Sequence, residues 1–389
     1  MSQNGPGFLR FRNARAVLHA LLRTRRLSRA DLARELSLSR PTVLDIVERF
    51  VEEGVLHEVG TNVSGGRPSV ALSVAAEAGE ILAVDLGGTS VRLGRFDLDG
   101  TLREHRKVAT EKSSRAAVLD QMAGLVAAQV PAPPATRIVV IGAPGYVGDG
   151  IVRDAPNLPD WHDVPLRAEM EARLGVPVVV ENDVDLAAVG ESHYGVARGQ
   201  RNVVFVSLGT GIGAGILLDG RLVRGTAGAA GEIGFLVPGV AALDQDFGGN
   251  GALESAVSMP ALAHHVSQDS RLAGQDAVRI LAAARSGDAD AQEGVRAWAQ
   301  YIAVGIIALG AICNPEMVVI GGAGMHAFDL IEGSVTAALR RHLPVPPALR
   351  VTSLGDDAAL WGGFVLGQEQ VVEQLAARQR SDMLISEAG

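Results

Sequence analysis

Apolar side chains recur every three or four positions in three short segments near the N-terminus, which predicts three helices. The first helix covers residues 13–24. The second is expected to begin at the N-cap candidate Ser28. The third is expected to begin near Ser39 and to end at Gly54, a residue type that commonly follows the last helical turn.

Two apolar strands, 55–60 and 70–74, flank the polar turn TNVSGGRPS, a pattern typical of a β-hairpin. Three helices followed by a hairpin predict a winged helix-turn-helix DNA-binding domain over residues 1–76. In such a domain the third helix is the recognition helix and the hairpin is the wing.

From residue 80 onwards, apolar runs that end in glycine or polar residues alternate with helical segments, which predicts an α/β fold. Residues 203–222 repeat the strand, glycine turn and strand of 81–102, so we expect two related lobes. The alternative is a chance likeness between two glycine-rich hairpins. The predicted first lobe comprises 80–186 plus 365–385, and the second lobe, with the cleft and the dimerisation surface, comprises 187–364.

Composition excludes a disordered chain, because 47% of the 389 residues are apolar and only 20% are charged. The net charge of −9 is unevenly distributed: residues 1–75 hold 11 arginines and 7 acids, a net of +4, so the remainder carries −13. The lone Cys313 excludes a disulfide framework and fits a reducing cytoplasm. The apolar run 301–313 is interrupted by glycines and is too short for a bilayer, so we expect a core helix and no membrane partner.

The basic N-terminal region contains the candidate DNA contacts. Ser39, Arg40 and Thr42 open the recognition helix, where side chains meet base edges. Ser28 and Arg29 suit phosphate contact, and Arg67 at the hairpin tip could reach phosphate or the minor groove. The alternative is an arginine-rich surface in a lysine-poor protein.

Two glycine-rich turns, 85–89 and 208–213, expose backbone N–H groups and a hydroxyl, as phosphate binding requires. Neither is a Walker A loop, since lysine occurs only at Lys107 and Lys112, and neither fits a dinucleotide fingerprint, because a strand follows each turn. With the GGAG run at 321–324 they predict a nucleotide cleft, the alternative being purely structural turns. The candidate nucleotide-binding residues are Asp85, Gly87, Gly88, Thr89, Gly209, Thr210, Gly211, Gly321, Gly322 and Gly324.

Carboxylates and amides occur where apolar strands end, the position at which open α/β sheets bind ligands. They suit a polyol, because carboxylates and amides can bond to neighbouring hydroxyls. Asp183 could take the proton of a sugar hydroxyl or accept a hydrogen bond from it. The alternative for each residue is a helix cap or a surface charge. The candidate sugar-binding residues are Asn157, Asn182, Asp183, Glu232 and Glu254.

Together these motifs resemble the ROK family, which combines sugar-dependent repressors of the NagC/XylR type with sugar kinases. The resemblance spans nearly the whole chain, through GGRP, DLGGT, GAPG, PNLP, ENDVDLAAVGE, LGTGIGAG, GTAGAAGEIG and IGGAG in that order. It implies an actin-like, two-lobed sugar kinase fold behind the winged head. It also implies that the five carboxylate and amide residues contact sugar, that Asp183 is the base of any kinase reaction, and that the glycine turns hold ATP phosphates with 321–324 near the adenosine.

One segment departs from the family pattern. Many members follow the GEIG run with a histidine and a cysteine-rich segment that hold a structural zinc ion, whose closed site needs four ligands. Phe235 stands at the histidine position, and Gln245, Phe247 and Ala252 fall where the cysteines would be. No zinc is therefore expected, and packing, with Phe247 contributing, must hold the loop 236–251. The missing histidine also normally helps to contact the sugar.

The sequence thus predicts a homodimeric or dimer-of-dimers transcriptional repressor of carbohydrate-utilisation genes. Its partners would be operator DNA and a monosaccharide or sugar-phosphate effector, and it would require no cofactor. The alternative is an ATP-dependent sugar kinase, for which ATP and Mg²⁺ would be needed.

Overall fold

The computed structural model describes residues 6–62, 69–129 and 137–386, so the predicted DNA contact Arg67 lies outside the described residues. The head consists of α1 (Pro6–Thr24), β1 (Leu27–Ser28), α2 (Arg29–Glu35), α3 (Arg40–Glu52), β2 (Leu56–Asn62) and β3 (Ser69–Val74). Its strands form one antiparallel sheet in the order β1-β3-β2. The predicted winged helix-turn-helix is confirmed.

Local sequence determines where the head helices begin. The Ser28 hydroxyl accepts a hydrogen bond from the Asp31 N–H at 3.2 Å, and the Asp31 carboxylate accepts one from the Ser28 N–H at 3.2 Å. Ser39 caps α3 with its side chain. The first helix begins at Pro6, earlier than residue 13, because Phe11 packs against the head's core and extends the apolar face.

The remaining chain forms two lobes. The elements before residue 200 are β4 (Glu80–Leu86), β5 (Ser90–Asp97), β6 (Leu102–Ala109), α4 (Arg115–Ala128), β7 (Arg137–Ala143), β8 (Val147–Gly148), β9 (Ile151–Asp154), β10 (His162–Val164), α5 (Leu166–Leu174), β11 (Val178–Asn182) and α6 (Asp183–His193). Those after it are β12 (Val203–Leu208), β13 (Ile212–Leu218), β14 (Arg221–Leu222), α7 (Glu254–Val257), α8 (Ala277–Arg285), α9 (Ala289–Cys313), β15 (Met317–Gly321), α10 (Phe328–His342), β16 (Ala348–Val351) and α11 (Ala358–Ser386).

The two main sheets have the same topology. Their strand orders are β11-β7-β4-β5-β6 and β14-β13-β12-β15-β16. In each sheet an antiparallel hairpin, β4–β5 or β12–β13, pairs in parallel through its first strand with β7 or β15. The next strand, β11 or β16, is also parallel. The predicted duplication and the two-lobed α/β fold are therefore confirmed.

Two helices belong to both lobes. The predicted boundaries 186/187 and 364/365 fall inside α6 and α11, respectively. Helix α6 packs against α11 and against β12 and β13, while α11 packs against β4 and β7. No single residue therefore separates the lobes. The chain remains helical from Ala358 as far as Ser386.

The core of the head continues into the body. Buried residues of α1, including Leu18, belong to the same apolar cluster as buried residues of α11, including Leu375. Beside this contact, Arg15 and His19 of α1 pair with Glu369 of α11, and the His19 Nε2 to Glu369 Oε2 distance is 3.2 Å. The winged head is thus packed onto the body rather than tethered to it.

Helix α9 contains the apolar run 301–313. Its 25 residues are long and apolar enough to cross a membrane by length and composition, and half of its most apolar window is buried inside the fold. Trp298, Ile302 and Ile306 lie in the apolar cluster of the second lobe. The prediction of a core helix agrees with this packing, although the helix is longer than the run that predicted it.

Because head and body share one core, we expect them to unfold in one transition. The protein's three tryptophans, Trp161, Trp298 and Trp361, all lie in the body, so their fluorescence reports the body alone. Far-UV circular dichroism reports the helices of both parts. The two signals should have the same urea midpoint, and a dichroism change that precedes the fluorescence change would contradict the shared core.

Candidate functional site

The cleft between the lobes contains two adjoining cavities. One, of 230 Å³, is lined by carboxylates and amides, and we call it the carboxylate pocket. The other, of 410 Å³, is lined by the glycine turns, and we call it the glycine-turn cavity. Six residues line both cavities, namely Asn157, Asp183, Val184, Ser207, Gly209 and Thr210. A ligand in one cavity can therefore contact a ligand in the other at these residues.

All five predicted sugar-binding residues line the carboxylate pocket, at positions supplied by both lobes. Asn182 also has a structural role, since its Oδ1 accepts a hydrogen bond from the Asp185 N–H at 2.9 Å and caps α6. Its Nδ2 donates to the Gly145 carbonyl at 2.8 Å. These two bonds fix the N-terminus of α6, and hence Asp183, at the boundary between the cavities.

Glycines allow the second lobe to bring its carboxylates into the pocket. Gly231 has φ +88°, and a Cβ there would lie 1.7 Å from the Ala214 carbonyl oxygen. The Gly231 carbonyl accepts a hydrogen bond from the Ala214 N–H at 2.8 Å, which holds the adjoining Glu232 beside β13. Glu254 Oε2 accepts from the Ile212 N–H at 3.1 Å.

Asp183 is electrostatically the most perturbed of the predicted contacts. Burial, together with the nearby charges of Asp85 and Glu232, raises its pKa to about 8. Burial, with the charge of Glu254, also raises the pKa of Glu232. A carboxylate that binds its proton this tightly is suited to accepting a proton or a hydrogen bond from a hydroxyl group.

The glycine-turn cavity is lined by six of the ten predicted nucleotide contacts, namely Asp85, Gly88, Thr89, Gly209, Thr210 and Gly322. The other four are placed elsewhere. Gly211 lines the carboxylate pocket, and Gly87 closes its turn by donating to the Ser90 carbonyl at 2.9 Å. Gly321 and Gly324 leave room for the Phe205 ring and the Leu208 side chain, and their contact with a nucleotide stays a prediction.

Sequence reasoning missed the cation of this cavity. Arg92 donates to Asp85 at 2.9 Å and to Asp356 at 2.9 Å, and Lys107 donates to Asp356 at 3.1 Å. Burial raises the pKa of Asp85, and Arg92 opposes that effect. The signal was present in the hairpin, because Asp85 and Arg92 are directly opposite each other in its antiparallel register.

The polar side chains that line the glycine-turn cavity are better suited to binding the phosphates of a nucleotide than to binding the Mg²⁺ ion that accompanies them. The side chains of Thr89, Ser207, Thr210 and Lys112 are among the cavity lining and can donate to phosphate oxygens. Asp85, the carboxylate expected beside the phosphates, is already neutralised by Arg92. Mg²⁺ would therefore have to compete with a guanidinium for this carboxylate.

The predicted DNA contacts separate into two groups. Ser39 and Arg40 are exposed at the start of α3, and Thr42 is half-buried with its hydroxyl 2.7 Å from that of Ser39. The prediction that Ser28 contacts a DNA phosphate is wrong, because its side chain is only 2% exposed and its hydroxyl caps α2 instead of facing solvent. Arg29 is partly engaged by Glu58 at 3.0 Å.

Phe235, at the position of the absent histidine, lines the carboxylate pocket and is 60% exposed. Of the positions where cysteines would stand, Gln245 is exposed, Phe247 is half-buried and Ala252 is buried. The absence of zinc stays a prediction.

Comparison with known proteins gives two family matches. Residues 81–370 match the ROK family, and residues 10–56 match the winged helix-turn-helix DNA-binding family. A glucokinase of Streptomyces coelicolor is 33% identical over 75% of this chain and 98% of its own length. The xylose repressor of Bacillus subtilis is 26% identical over 91% of this chain and 94% of its own length.

Solved structures give the same two kinds of relative. A ROK family transcriptional regulator, a homolog of the E. coli MLC protein, superposes with a TM-score of 0.80 at 25% identity, covering 96% of this chain and 98% of that one. A ROK glucokinase from Streptomyces griseus, solved with glucose and AMPPNP, superposes with a TM-score of 0.64 at 32% identity, covering 75% of this chain and 99% of that one.

The raised pKa of Asp183 predicts a pH-dependent stability. The folded state retains a proton up to about pH 8 that an ordinary aspartic acid of pKa 3.8 releases in the unfolded state. The folded state therefore binds more protons between these values, and the free energy of unfolding falls as the pH rises through them. The Asp183→Asn variant cannot titrate at this position. Its free energy of unfolding, measured with urea, should therefore exceed that of the wild type by a difference that grows from pH 5 to pH 8.

Asp219→Asn is the control for this prediction. Asp219 is exposed, and its φ of +52° is one that asparagine also adopts. Its margin over the wild type should be independent of pH. The same pH-independent margin for Asp183→Asn would show that the cleft does not perturb this carboxyl.

Proposed function

The chain belongs to the ROK family, and we propose that it is a transcriptional repressor of carbohydrate-utilisation genes whose operator affinity changes when a sugar binds in the carboxylate pocket. It is a sugar-responsive DNA-binding regulator by its two family matches. The proposed mechanism rests on one observation, the continuous packing from α6, which begins in the carboxylate pocket, through α11 to α1 of the winged head.

That packing forms a short mechanical connection. Asp183 begins α6 inside the pocket, α6 packs along α11, and α11 packs against α1 of the head. A sugar that binds the two lobes in one arrangement shifts α6 and α11, and the head moves with them. A coupling free energy of ~1–3 kcal/mol would change operator affinity roughly 5- to 150-fold.

We infer that the regulator acts in the cytoplasm as a homodimer or a dimer of dimers on a two-fold symmetric operator, because helix-turn-helix dimers read paired half-sites. It requires no cofactor in this role. The names of its relatives make D-glucose and D-xylose the first sugars to test. A sugar phosphate would suit the joined cavities equally, with its phosphate towards the glycine turns.

An ATP-dependent sugar kinase is the second candidate, favoured by the raised pKa of Asp183 at the boundary of the two cavities. In that role ATP would supply the phosphoryl group, the glycine turns would hold its phosphates, and Asp183 would accept the proton of the sugar hydroxyl. The ion pair between Asp85 and Arg92 weighs against it, since Mg²⁺ would have to displace the guanidinium.

If the protein is the proposed regulator, its binding to DNA should depend on residues of the winged head and should change when sugar is added. In a gel-shift titration with DNA upstream of its own operon, Arg40→Ala should weaken binding by about 1–3 kcal/mol, because it removes an exposed donor at the start of the recognition helix. Arg198→Ala, which removes an exposed arginine of the body, should not. Wild-type binding should fall with salt and should weaken when D-glucose or D-xylose is added.

A sugar that binds the protein without altering operator affinity would contradict this mechanism. Loss of DNA binding by the body variant and the head variant alike would place the interface outside the winged head.

If the protein were a sugar kinase, it would release ADP in a sugar-dependent manner in a coupled assay with Mg²⁺ and ATP. Because Arg92 neutralises Asp85, we expect no release above that of Asp183→Asn with either sugar. Turnover by the wild type that disappears in the variant would instead make the protein an enzyme as well as a regulator.

A further inference from the structure

We infer that Arg224 is a positioning residue for the sugar pocket, acting through Glu181 on the opposite lobe. The inference rests on the proposed function, because it concerns the affinity of the same pocket for sugar. Arg224 is not among the residues that line the carboxylate pocket or the glycine-turn cavity. Any effect of this residue on sugar binding must therefore be indirect.

The pair joins the lobes directly. Both Nε and an Nη atom of Arg224 lie 2.6 Å from Glu181 Oε2. The Glu181 side chain is 6% exposed, whereas that of Arg224 is 50% exposed. Glu181 belongs to β11, the edge strand of the first sheet, and Arg224 closely follows β14, the edge strand of the second. This charge pair therefore fixes the spacing of the two edges.

Each partner is attached to one wall of the pocket. Glu181 immediately precedes Asn182 and Asp183, which the first lobe contributes. Arg224 starts the loop that ends at Glu232, and its carbonyl accepts a hydrogen bond from the Ala230 N–H at 3.2 Å. The loop is therefore held at both ends, by this bond and by the β13 contact of Gly231. Separation of the pair would move the two walls relative to each other.

A second buried carboxyl makes Arg224 harder to replace. Asp185 is 3% exposed, and its Oδ1 has no hydrogen-bond partner within the described part of the chain. Burial and the charge of Glu181 raise the pKa of Asp185, and Arg224 opposes this. Arg224 thus compensates two neighbouring acids. Its loss would leave the buried Glu181 side chain without its cationic partner, an unfavourable arrangement that opening of the lobes would relieve.

The position of the pair also connects it with the head. Glu181 and Arg224 line a third cavity of 820 Å³, which we call the rear cavity, together with His19 of α1 and Glu369 of α11. The cavity lies where the head, both lobes and the last helix meet. A change in lobe spacing at the ion pair therefore occurs beside the contact that holds the head.

The test is isothermal titration calorimetry of the full chain with D-glucose and D-xylose. We expect Arg224→Gln to lower sugar affinity at least about tenfold, and Arg224→Lys to restore part of the loss because it keeps the charge. The double variant Glu181→Gln with Arg224→Gln should bind sugar more tightly than Arg224→Gln alone, since no unpaired charge remains buried. Arg221→Gln, an exposed neighbour that lines the same rear cavity, is the control and should match the wild type.

Wild-type affinity in Arg224→Gln would overturn the inference and leave the proposed function intact. A loss that neither the lysine variant nor the double variant reduces would overturn it as well, because it would indicate general damage to the fold. Absence of sugar binding by the wild type would contradict the proposed function itself, and the inference with it.

Discussion

The close contact between α6 and α11 is the constraint on which the other parts of the molecule depend. A Cβ on Gly362 would lie 1.8 Å from the Leu186 carbonyl oxygen, and one on Gly190 would lie 2.2 Å from that of Ala358, so the two backbones touch. Beside this contact the buried Glu191 accepts hydrogen bonds from the N–H groups of residues 353 and 354, which follow the last strand of the second sheet. One helix pair therefore anchors the pocket, both sheets and the head.

Some carboxyls of the cleft are paired with arginines and others are not. Arg92 neutralises Asp85 on the side of the glycine turns, and Arg224 neutralises Glu181 on the rear side. Asp183 lies between them, and its pKa is raised by burial and by its acidic neighbours, with no opposing cation among the described residues. The protein thus pairs the acids that hold the fold together and leaves the acid that faces both cavities for a ligand.

Periodicity and motif order were sufficient to predict the winged head, the duplicated lobes and five of the carboxylates and amides that line the carboxylate pocket, but not Asp154 and Asn250. They were less decisive where a residue type serves two purposes. Gly321 and Gly324 stand in a run that suits phosphate, yet their missing side chains accommodate Phe205 and Leu208. Ser28 was predicted both as an N-cap and as a phosphate contact, and the capping box that it forms with Asp31 leaves its hydroxyl in the first role. The partner of Glu181 was not available, since Arg224 is distant in sequence and meets it only when the lobes pack together.

The same packing alters the meaning of the head's charge. Of its arginines, Arg10, Arg15, Arg23, Arg29, Arg34 and Arg49 form ion pairs with acids. Five of these pairs use acids that the +4 of residues 1–75 already counts, and the pair of Arg15 adds Glu369 from the body, so these guanidinium groups already have anionic partners. Sequence-independent attraction to DNA is consequently modest, and more of the affinity must come from the start of α3. In the proposed mechanism, a small change in the orientation of the head, transmitted through α6 and α11, would be enough to release a regulator that is bound in this way.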